Sequence, residues 1–350
     1  MGRNSFNINI LKDSLMHNYN YVKNRYNKGV ISVVKANAYG HGLENVIPVF
    51  REAGCKYFAV ARETEALDIL NLGFNDIDIL VFETIEDLNL LKNNKNLQMV
   101  VNSLEELKEF INLNLNFNQL HLKFDFGFGR NGITNIQLEE VKQIVEKNNI
   151  KFKGAMTHLF SADEDEMEEI QKRFMDSLSF LGRDRFEVVH SQNSAAMVLG
   201  KGGKGSTHLR CGISLLGLLD IGCVDDNIKR SWSLTGTVYH IRDLEGLDFI
   251  GYERASDLEL EGGTKIAKIK IGYGDGFSKK NTYLECVING REYPIVHVSM
   301  DTSFVLVDDF VKIGDRVEIY SDFEKSNKHL GMPHYEYITL LNKRLKREVK

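Results

Sequence analysis

Residues 29–42 of the chain, Gly-Val-Ile-Ser-Val-Val-Lys-Ala-Asn-Ala-Tyr-Gly-His-Gly, decide how the fold is to be interpreted. Val30–Val34 is a short, mostly apolar run rich in β-branched residues, which is typical of a strand buried in a parallel sheet. Lys35 ends this strand, and Leu43–Glu52 follows with apolar residues at helical spacing. A buried strand, a short connection and an amphipathic helix make up one β/α unit.

The alternation of strands and helices continues through the first two thirds of the chain. Further strands are predicted at Tyr57–Val60, Ile77–Phe82, Gln98–Val101, Gln119–Phe124, Phe152–Thr157, Phe186–His190 and Leu209–Leu215. Helical spacing lies between them, at Glu63–Leu72, Ile85–Leu91, Leu104–Ile111, Leu138–Glu146, Glu164–Leu178 and, more briefly, Asn193–Val198. About eight β/α units predict a closed (β/α)8 TIM barrel. An open, doubly wound sheet is the alternative, but consecutive strands without a long antiparallel excursion favour closure.

The pattern changes after about residue 230. Strands are predicted at Trp232–Ile241, Lys265–Ile271, Leu284–Ile288, Tyr293–Val298, Ser303–Val307 and Arg316–Tyr320, with turn signals and little helical pattern between them. We therefore predict two domains, a barrel over residues 11–230 and a mostly antiparallel C-terminal β domain over residues 231–350. The alternating run Ser5–Ile10 precedes the first barrel helix, and residues 1–10 are assigned to the β domain.

Composition and charge indicate a globular, cytoplasmic protein. The 350 residues are 43% hydrophobic and 27% charged, near globular averages. The net charge is −5, from 44 basic and 49 acidic side chains, so no basic bias favours nucleic acid or an anionic membrane. Four scattered cysteines without a Cys-x-x-Cys pair indicate a reducing compartment. We expect no secretory signal, because the N-terminal residues contain no continuous apolar run, and no membrane span, because no apolar run approaches ~18 residues.

Lys35 is the first residue with a chemical implication. In a parallel α/β barrel the active site lies at the C-terminal ends of the strands. A lysine at the edge of an apolar wall can have its ammonium desolvated and its pKa lowered, which makes it a nucleophile for a Schiff base. The alternative is a lysine whose stem covers apolar surface while its charge reaches water.

The segment Val33–Gly42 closely resembles the pyridoxal-phosphate attachment motif of bacterial alanine racemases. Other segments match that family in the same order: Phe58–Ala61 with Glu63–Leu67, Lys123–Gly132, Thr157–Leu159, His190–Ala196, Arg210–Ile213, Gly272–Phe277, Met300-Asp301, and Tyr335-Glu336 with Lys343–Leu345. The resemblance implies a pyridoxal-phosphate enzyme of fold type III that interconverts L-alanine and D-alanine by a two-base mechanism on an aldimine. It further implies that the D-alanine supplies cell-wall peptidoglycan.

The resemblance also assigns a role to each matching residue. Lys35 is implied to carry pyridoxal 5′-phosphate and to serve as base on one face of Cα, with Tyr273 as base on the other. The further implied cofactor contacts are Tyr39, Arg130, His158, Ser194, Arg210, Gly212, Ile213 and Tyr335. Arg130 and the backbone of Met300 are implied to bind the substrate carboxylate. Arg210 would face the pyridine nitrogen, which must then accept a hydrogen bond and stay unprotonated, because guanidinium is only a donor.

Three alternatives remain open on the sequence. Phe126 and Phe128 replace the Thr and Met of the family pattern, and Ser299 stands where many members have Cys, so a racemase for serine, lysine or arginine is possible. A decarboxylase of related fold would not need Tyr273 or Arg210. A non-catalytic pyridoxal-phosphate carrier would be a barrel alone. The expected partners are an amino-acid substrate and a second copy of the chain in a homodimer with shared active sites; no metal is expected.

Overall fold

The structure, a computed structural model, describes residues 6–160, 163–219, 224–244 and 265–350. The contacts divide the chain into two units. The barrel unit comprises Asp13–Ala38 and Val46–Lys229, and the sheet unit comprises Met1–Lys12, Tyr39–Asn45 and Arg230–Lys350. The start of the predicted first strand at Ser5 and the third of the four cysteines, Cys223, lie outside the described residues, as do residues 245–264.

Eight parallel strands close the barrel unit. Strands are numbered in chain order, and β1 (Asn7–Ile10) belongs to the sheet unit. The barrel strands follow one another around the ring as β2 (Gly29–Val33), β3 (Tyr57–Val60), β4 (Asp78–Val81), β5 (Leu97–Val101), β6 (Leu120–Lys123), β7 (Phe152–Met156), β8 (Phe186–His190) and β9 (His208–Cys211). The ring closes between β2 and β9, where Ile31 pairs with Arg210.

Helices connect these strands, as the alternation predicts. They are Lys12–Tyr26, Leu43–Glu52, Glu63–Asn71, Leu88–Asn93, Leu104–Asn112, Leu138–Lys147, Glu164–Leu181 and Ser194–Val198, with 3-10 turns at Phe117–Gln119, Asn135–Gln137 and Arg183–Arg185. Apolar faces pack inward; Leu107 and Phe110, for example, are buried on one side of Leu104–Asn112. The predicted closed barrel is therefore confirmed, and the open sheet is excluded.

Several predicted elements of the barrel unit have different bounds in the structure, and two of these differences have a clear physical cause. The last strand was predicted to reach Leu215 but ends at Cys211, because the backbone then turns toward Ser194. The helix predicted at Ile85–Leu91 begins only at Leu88, because the carboxylate of Asp87 accepts the Asn89 backbone N–H at 3.0 Å and caps it there.

The sheet unit contains a mostly antiparallel sheet of eight described strands. Its order is β11 (Lys265–Ile269), β14 (Ser303–Val307), β13 (Arg291–Val298), β12 (Glu285–Ile288), β15 (Arg316–Ile319), β10 (Trp232–Asp243), β1 and β16 (Lys346–Val349), and β11 also pairs with β10. The single parallel pair among these strands joins β1 to β16. Together with the barrel, this sheet confirms the predicted fold class.

The sheet unit also contains helices that the sequence analysis did not predict. They are Phe323–Leu330 and His334–Leu340, and short 3-10 turns lie at Tyr273–Asp275 and Lys279–Asn281. The sequence analysis expected little helix between its predicted strands, and these two helices follow the last of those strands, Arg316–Tyr320. Asp322 begins the first of the two helices, because its carboxylate accepts the Lys325 backbone N–H at 3.1 Å.

Candidate active site

Lys35 lies two residues beyond the end of β2 and is half-buried. The backbone after it forms a left-handed turn, since φ is between 49° and 55° at Ala36, Asn37, Ala38 and Tyr39. Residues with a Cβ rarely adopt this conformation. A hydrogen bond holds the start of this turn in place: the backbone N–H of Ala36 donates to the Glu65 carboxylate.

The Glu65 carboxylate is a functional feature that the sequence analysis missed. Its other oxygen accepts the backbone N–H groups of Ala61 at 2.9 Å and Arg62 at 3.0 Å. One side chain therefore ties the end of β3 to the residue that follows Lys35. The only sequence signal was its place in the matching segment Glu63–Leu67.

Four side chains of the barrel unit, Lys35, Lys123, His158 and Arg210, each have a pKa that is lowered by burial and by the nearby Arg130 cation. Burial lowers the pKa of Lys35, and the Arg130 cation lowers it further. Burial and neighbouring cations lower the pKa of Lys123 to about 8 and that of His158 to about 3. The guanidinium cations of Arg130 and Arg210 in this group suit a negatively charged ligand.

Arg210 is buried with only 4% of its surface exposed. Its Nη1 donates to Nδ1 of His190 at 3.1 Å and to the His190 carbonyl at 2.8 Å. Its Nη2 donates to the carbonyls of Thr157 at 2.8 Å and Ser191 at 3.1 Å. All four partners are uncharged, and burial lowers the pKa of the guanidinium to about 10. Among the described residues, nothing accepts the remaining Nε–H.

The Ser194 hydroxyl accepts hydrogen bonds from residues that follow Arg210 in the chain. Its Oγ accepts the N–H groups of Gly212 and Ser214, each at 3.2 Å, and the Ser214 hydroxyl at 3.0 Å. Converging N–H groups of this kind form a ready site for an anion. The structure thus brings together Ser194 and Gly212, adds Ser214, which sequence reasoning missed, and places Ile213 between the two donors.

The guanidinium of Arg130 packs against an aromatic ring. The Arg130 guanidinium lies 4.5 Å from the ring centroid of Phe128, and that ring contacts His158 edge to face at 5.5 Å. The Asp125 carboxylate fixes the loop by accepting the backbone N–H of Arg130 at 2.9 Å. Lys123 donates to the Asn131 side chain in the same loop. Phe128, a departure from the family pattern, therefore contacts two predicted site residues.

The remaining predicted residues, Tyr39, Tyr273, Met300 and Tyr335, belong to the sheet unit. Tyr273 and Met300 lie together, because the Gly274 N–H beside Tyr273 donates to the Met300 carbonyl at 2.8 Å. A Cβ on Gly274 would lie 2.9 Å from that carbonyl oxygen, so the close approach requires glycine. Both side chains are exposed, Tyr273 by 42% and Met300 by 52%.

Tyr39 and Tyr335 lie on neighbouring segments of the same unit. Tyr335 is on helix His334–Leu340, and Gly40 packs so closely against this helix that a Cβ would lie 2.4 Å from the Ile338 carbonyl oxygen. Arg347 fixes the segment further, because its Nε donates to the Gly40 carbonyl at 2.7 Å. The loop after Lys35 is thus part of the sheet unit from Tyr39 onward.

No helix in the described part of the chain is long and apolar enough to cross a membrane. No group of three or more histidine, cysteine or acidic side chains in the same residues has the geometry to hold a metal ion.

Known proteins resemble the chain over nearly its whole length. The family "Alanine racemase, N-terminal domain" matches residues 10–220, and "Alanine racemase, C-terminal domain" matches residues 231–349. The alanine racemase of Methanococcus maripaludis is 31% identical over 349 residues, which is 91% of this chain and 91% of the relative.

Solved structures share the fold. The Bacillus anthracis alanine racemase with bound L-Ala-P has 27% identity and a TM-score of 0.86, over 98% of this chain and 94% of that chain. The Bartonella henselae alanine racemase with covalently bound pyridoxal phosphate has 23% identity and a TM-score of 0.83, over 99% of each chain. The resemblance inferred from the sequence motifs is confirmed: the chain belongs to the alanine racemase family.

Proposed function

We propose that this protein is a pyridoxal-phosphate-dependent alanine racemase. The observation that carries the proposal is the environment of Arg210, a buried guanidinium with four uncharged partners and one N–H to spare. A ligand that offers a neutral ring nitrogen as acceptor suits this donor, and an acidic side chain there would not leave it available. In a chain of this family, pyridoxal 5′-phosphate is the ligand with that chemistry.

Other residues of the barrel unit fit the same cofactor. The N–H groups of Gly212 and Ser214 and the Ser194 hydroxyl suit a phosphate group, with the Ile213 amide beside them. Lys35, whose pKa is lowered by burial, suits attachment to the aldehyde. Tyr39 and Tyr335 remain proposed contacts. When bound, the cofactor supplies a conjugated system that withdraws electrons from the amino acid and acidifies its Cα–H.

The side chains of the protein perform the proton transfers. Released from the aldehyde, the Lys35 amine is neutral near physiological pH more readily than an ordinary lysine, because burial and Arg130 lower its pKa. It can therefore remove or return a proton on one face of Cα. We assign the opposite face to the phenol of Tyr273, and the substrate carboxylate to Arg130 and the Met300 backbone.

The assay is chiral chromatography of pure L-alanine incubated with the cofactor-loaded protein. D-alanine is expected to accumulate until both enantiomers are equal. Tyr273→Phe should lower the rate by about 10²–10⁴-fold, the range for loss of an acid–base group. Tyr283→Phe is the matched control, because this tyrosine has similar exposure, 50%, and no proposed role.

Parallel incubations separate the alternatives. D-serine, D-lysine or D-arginine without D-alanine would contradict alanine as the substrate, and carbon dioxide release would indicate a decarboxylase. Failure of the alanine Cα–H to exchange in deuterated water would indicate a carrier.

We further propose a homodimer in which Tyr273 of the partner subunit completes each site. The support is the exposure of Tyr273 and Met300, two groups that the chemistry needs beside a shielded substrate. Mixing inactive Lys35→Ala with inactive Tyr273→Phe and allowing subunit exchange should restore activity, since a hybrid dimer contains one intact site. Mixtures that exchange subunits and stay inactive would contradict the shared site.

We also propose the cytoplasm as the location. The support is chemical: Cys55, Cys211 and Cys286 are buried free thiols, which persist in a reducing compartment. The amino-acid substrate is available there.

A further inference from the structure

A chain of hydrogen bonds crosses the interior of the barrel behind Arg210. Beyond the Arg210 contact, Nε2 of His190 lies 2.9 Å from Nδ1 of His121. Nε2 of His121 lies 2.8 Å from Oε1 of Gln98, and Nε2 of Gln98 lies 3.2 Å from a carboxylate oxygen of Asp78. The chain thus links a cation to a carboxylate through three uncharged side chains.

The direction of every bond in this chain is determined. Guanidinium can only donate, so Nδ1 of His190 must accept, and the proton of a neutral His190 is on Nε2. His121 therefore accepts at Nδ1 and carries its own proton on Nε2, which it donates to Gln98. The Gln98 amide N–H in turn donates to Asp78. Burial holds the pKa of His121 at about 3 and that of His190 well below its usual range, which agrees with two neutral rings.

A sixth side chain, Tyr57, and a glycine complete the arrangement. The Tyr57 hydroxyl donates to Oε1 of Gln98 and lies 3.1 Å from Nε2 of His121. Gly154 pairs with His121 across β6 and β7, and a Cβ there would lie 2.3 Å from the imidazole. The rings of His121 and His190 are fully buried. TIM-barrel interiors are mostly filled by branched apolar side chains, so a continuous chain of polar side chains inside the barrel is unusual and indicates a specific role.

We propose that His190, held in one tautomer by His121 and Gln98, is a positioning residue that aims Arg210 at the ring nitrogen of the cofactor without neutralising its charge. This inference deepens the proposed function and rests on it for the identity of the ligand. A carboxylate in place of His190 would pair with the guanidinium and cancel its charge. The opposite tautomer of His190 would turn an N–H toward Arg210 and displace it.

The consequence concerns which reaction follows proton removal. With Arg210 in place, the ring nitrogen of a bound cofactor would stay unprotonated and would withdraw electrons weakly, which favours return of the proton to Cα. With Arg210 displaced, the nitrogen could take up a proton from water, and transfer of the amino group would compete. In that case one water would be consumed, alanine would leave as pyruvate, and the cofactor would keep the amino group. The ratio of pyruvate to racemised alanine therefore measures how well Arg210 is positioned to donate to the ring nitrogen.

The test compares His121→Phe with His121→Gln. Phe removes the acceptor for His190, whereas Gln can offer an oxygen in its place. We expect kcat for racemisation to fall about tenfold in His121→Phe, the effect of weakening one hydrogen-bonded charged group, with little change in KM. The pyruvate ratio should rise several-fold, and His121→Gln should restore both values in part. His208→Gln is the control, because the His208 ring lies nearby, edge to face with Tyr57 at 5.9 Å, but its hydrogen bond is to Thr207, outside this chain.

Nitrogen NMR of the ¹⁵N-histidine-labelled holoprotein gives a readout that needs neither turnover nor a variant. We expect both rings to be neutral with protons on Nε2. A proton on Nδ1 of His190, or a pyruvate ratio in His121→Phe equal to that of the His208→Gln control, would overturn the proposal. An unmodified protein without racemase activity would instead contradict the proposed function, and the tautomer result would still stand.

Discussion

Both units bury many apolar side chains, but the most distinctive buried cluster is polar in the barrel and aromatic in the sheet unit. The barrel interior holds a polar chain in which each side chain is hydrogen-bonded to the next, from Arg210 to Asp78. The interior of the sheet unit holds aromatic rings around fully buried Trp232, which stacks on Phe323 at 5.4 Å. Buried polar groups contribute orientation at little gain in stability, whereas buried rings contribute stability. The comparison suggests that the barrel is organised for chemistry and the sheet unit for rigidity.

The largest effect expected from this comparison is on turnover. Lys35→Ala should lower the racemisation rate about 10³-fold or more, because both the attachment point and a base are lost. The free energy of unfolding should change by less than about 1 kcal/mol. Chiral chromatography and urea unfolding measure the two quantities.

Lys28→Ala is the matched control for that experiment. Lys28 is another lysine of the barrel unit whose pKa is lowered by burial, and it donates to the Gly203 carbonyl at 2.6 Å. Equal losses of activity in the two variants would contradict a special role for Lys35.

The reverse effect is expected in the sheet unit. Trp232→Ala should lower the free energy of unfolding by about 3–5 kcal/mol, the range for truncating a buried large aromatic, while kcat per folded molecule stays unchanged. Trp232→Phe should lose less, since it can still stack on Phe323. Urea unfolding followed by circular dichroism measures the loss. A fall in kcat in the folded Trp232→Phe protein would contradict the proposal that the barrel is organised for chemistry and the sheet unit for rigidity.

A smaller effect concerns pH and sharpens the description of the barrel interior. The folded pKa of His121 is about 3, below the unfolded value of about 6.5, so the unfolded chain binds the extra proton. The stabilisation is therefore complete above pH 6.5 and is lost as the pH falls. The loss by pH 5 is about 2 kcal/mol.

The groups that surround His121 and influence its pKa can be named. His121 faces Tyr57, Gln98 and His190, and the cations of Lys153 and Arg210 also lower its pKa. Urea unfolding between pH 5 and 7 should give a shallower pH dependence for His121→Gln than for the unmodified protein. Identical slopes would contradict a neutral, buried His121.

Much of the barrel was predictable because its strands are short apolar runs that end at chemically distinctive residues, as Val30–Val34 ends at Lys35. The polar chain was not predictable. Gln98 and His121 are on strands of four or five residues, too short for the pattern to tell which side chains face inward. The roles assigned to Lys35, Tyr273 and the other site residues, and the domain boundaries, stay predictions.

The sheet unit was less predictable at its C-terminal end. The helices Phe323–Leu330 and His334–Leu340 are only eight and seven residues long, so neither repeats its apolar spacing often enough to be recognised. Contacts between distant segments, such as Gly40 against Ile338, fix the position of one of them.

The left-handed turn after Lys35 has a consequence for how the protein can evolve. Each non-glycine residue in that conformation is about 1–2 kcal/mol less favourable than in an ordinary helix, and Ala36 to Tyr39 make four in succession. The sum approaches the whole net stability of a small domain, so the rest of the fold must hold the turn in place. Glycine substitutions would relieve the strain, yet they would also widen the range of directions open to the lysine amine. Mutations that stabilise this loop should therefore be easy to find, but they should make the position of the lysine amine less precise and so impair catalysis.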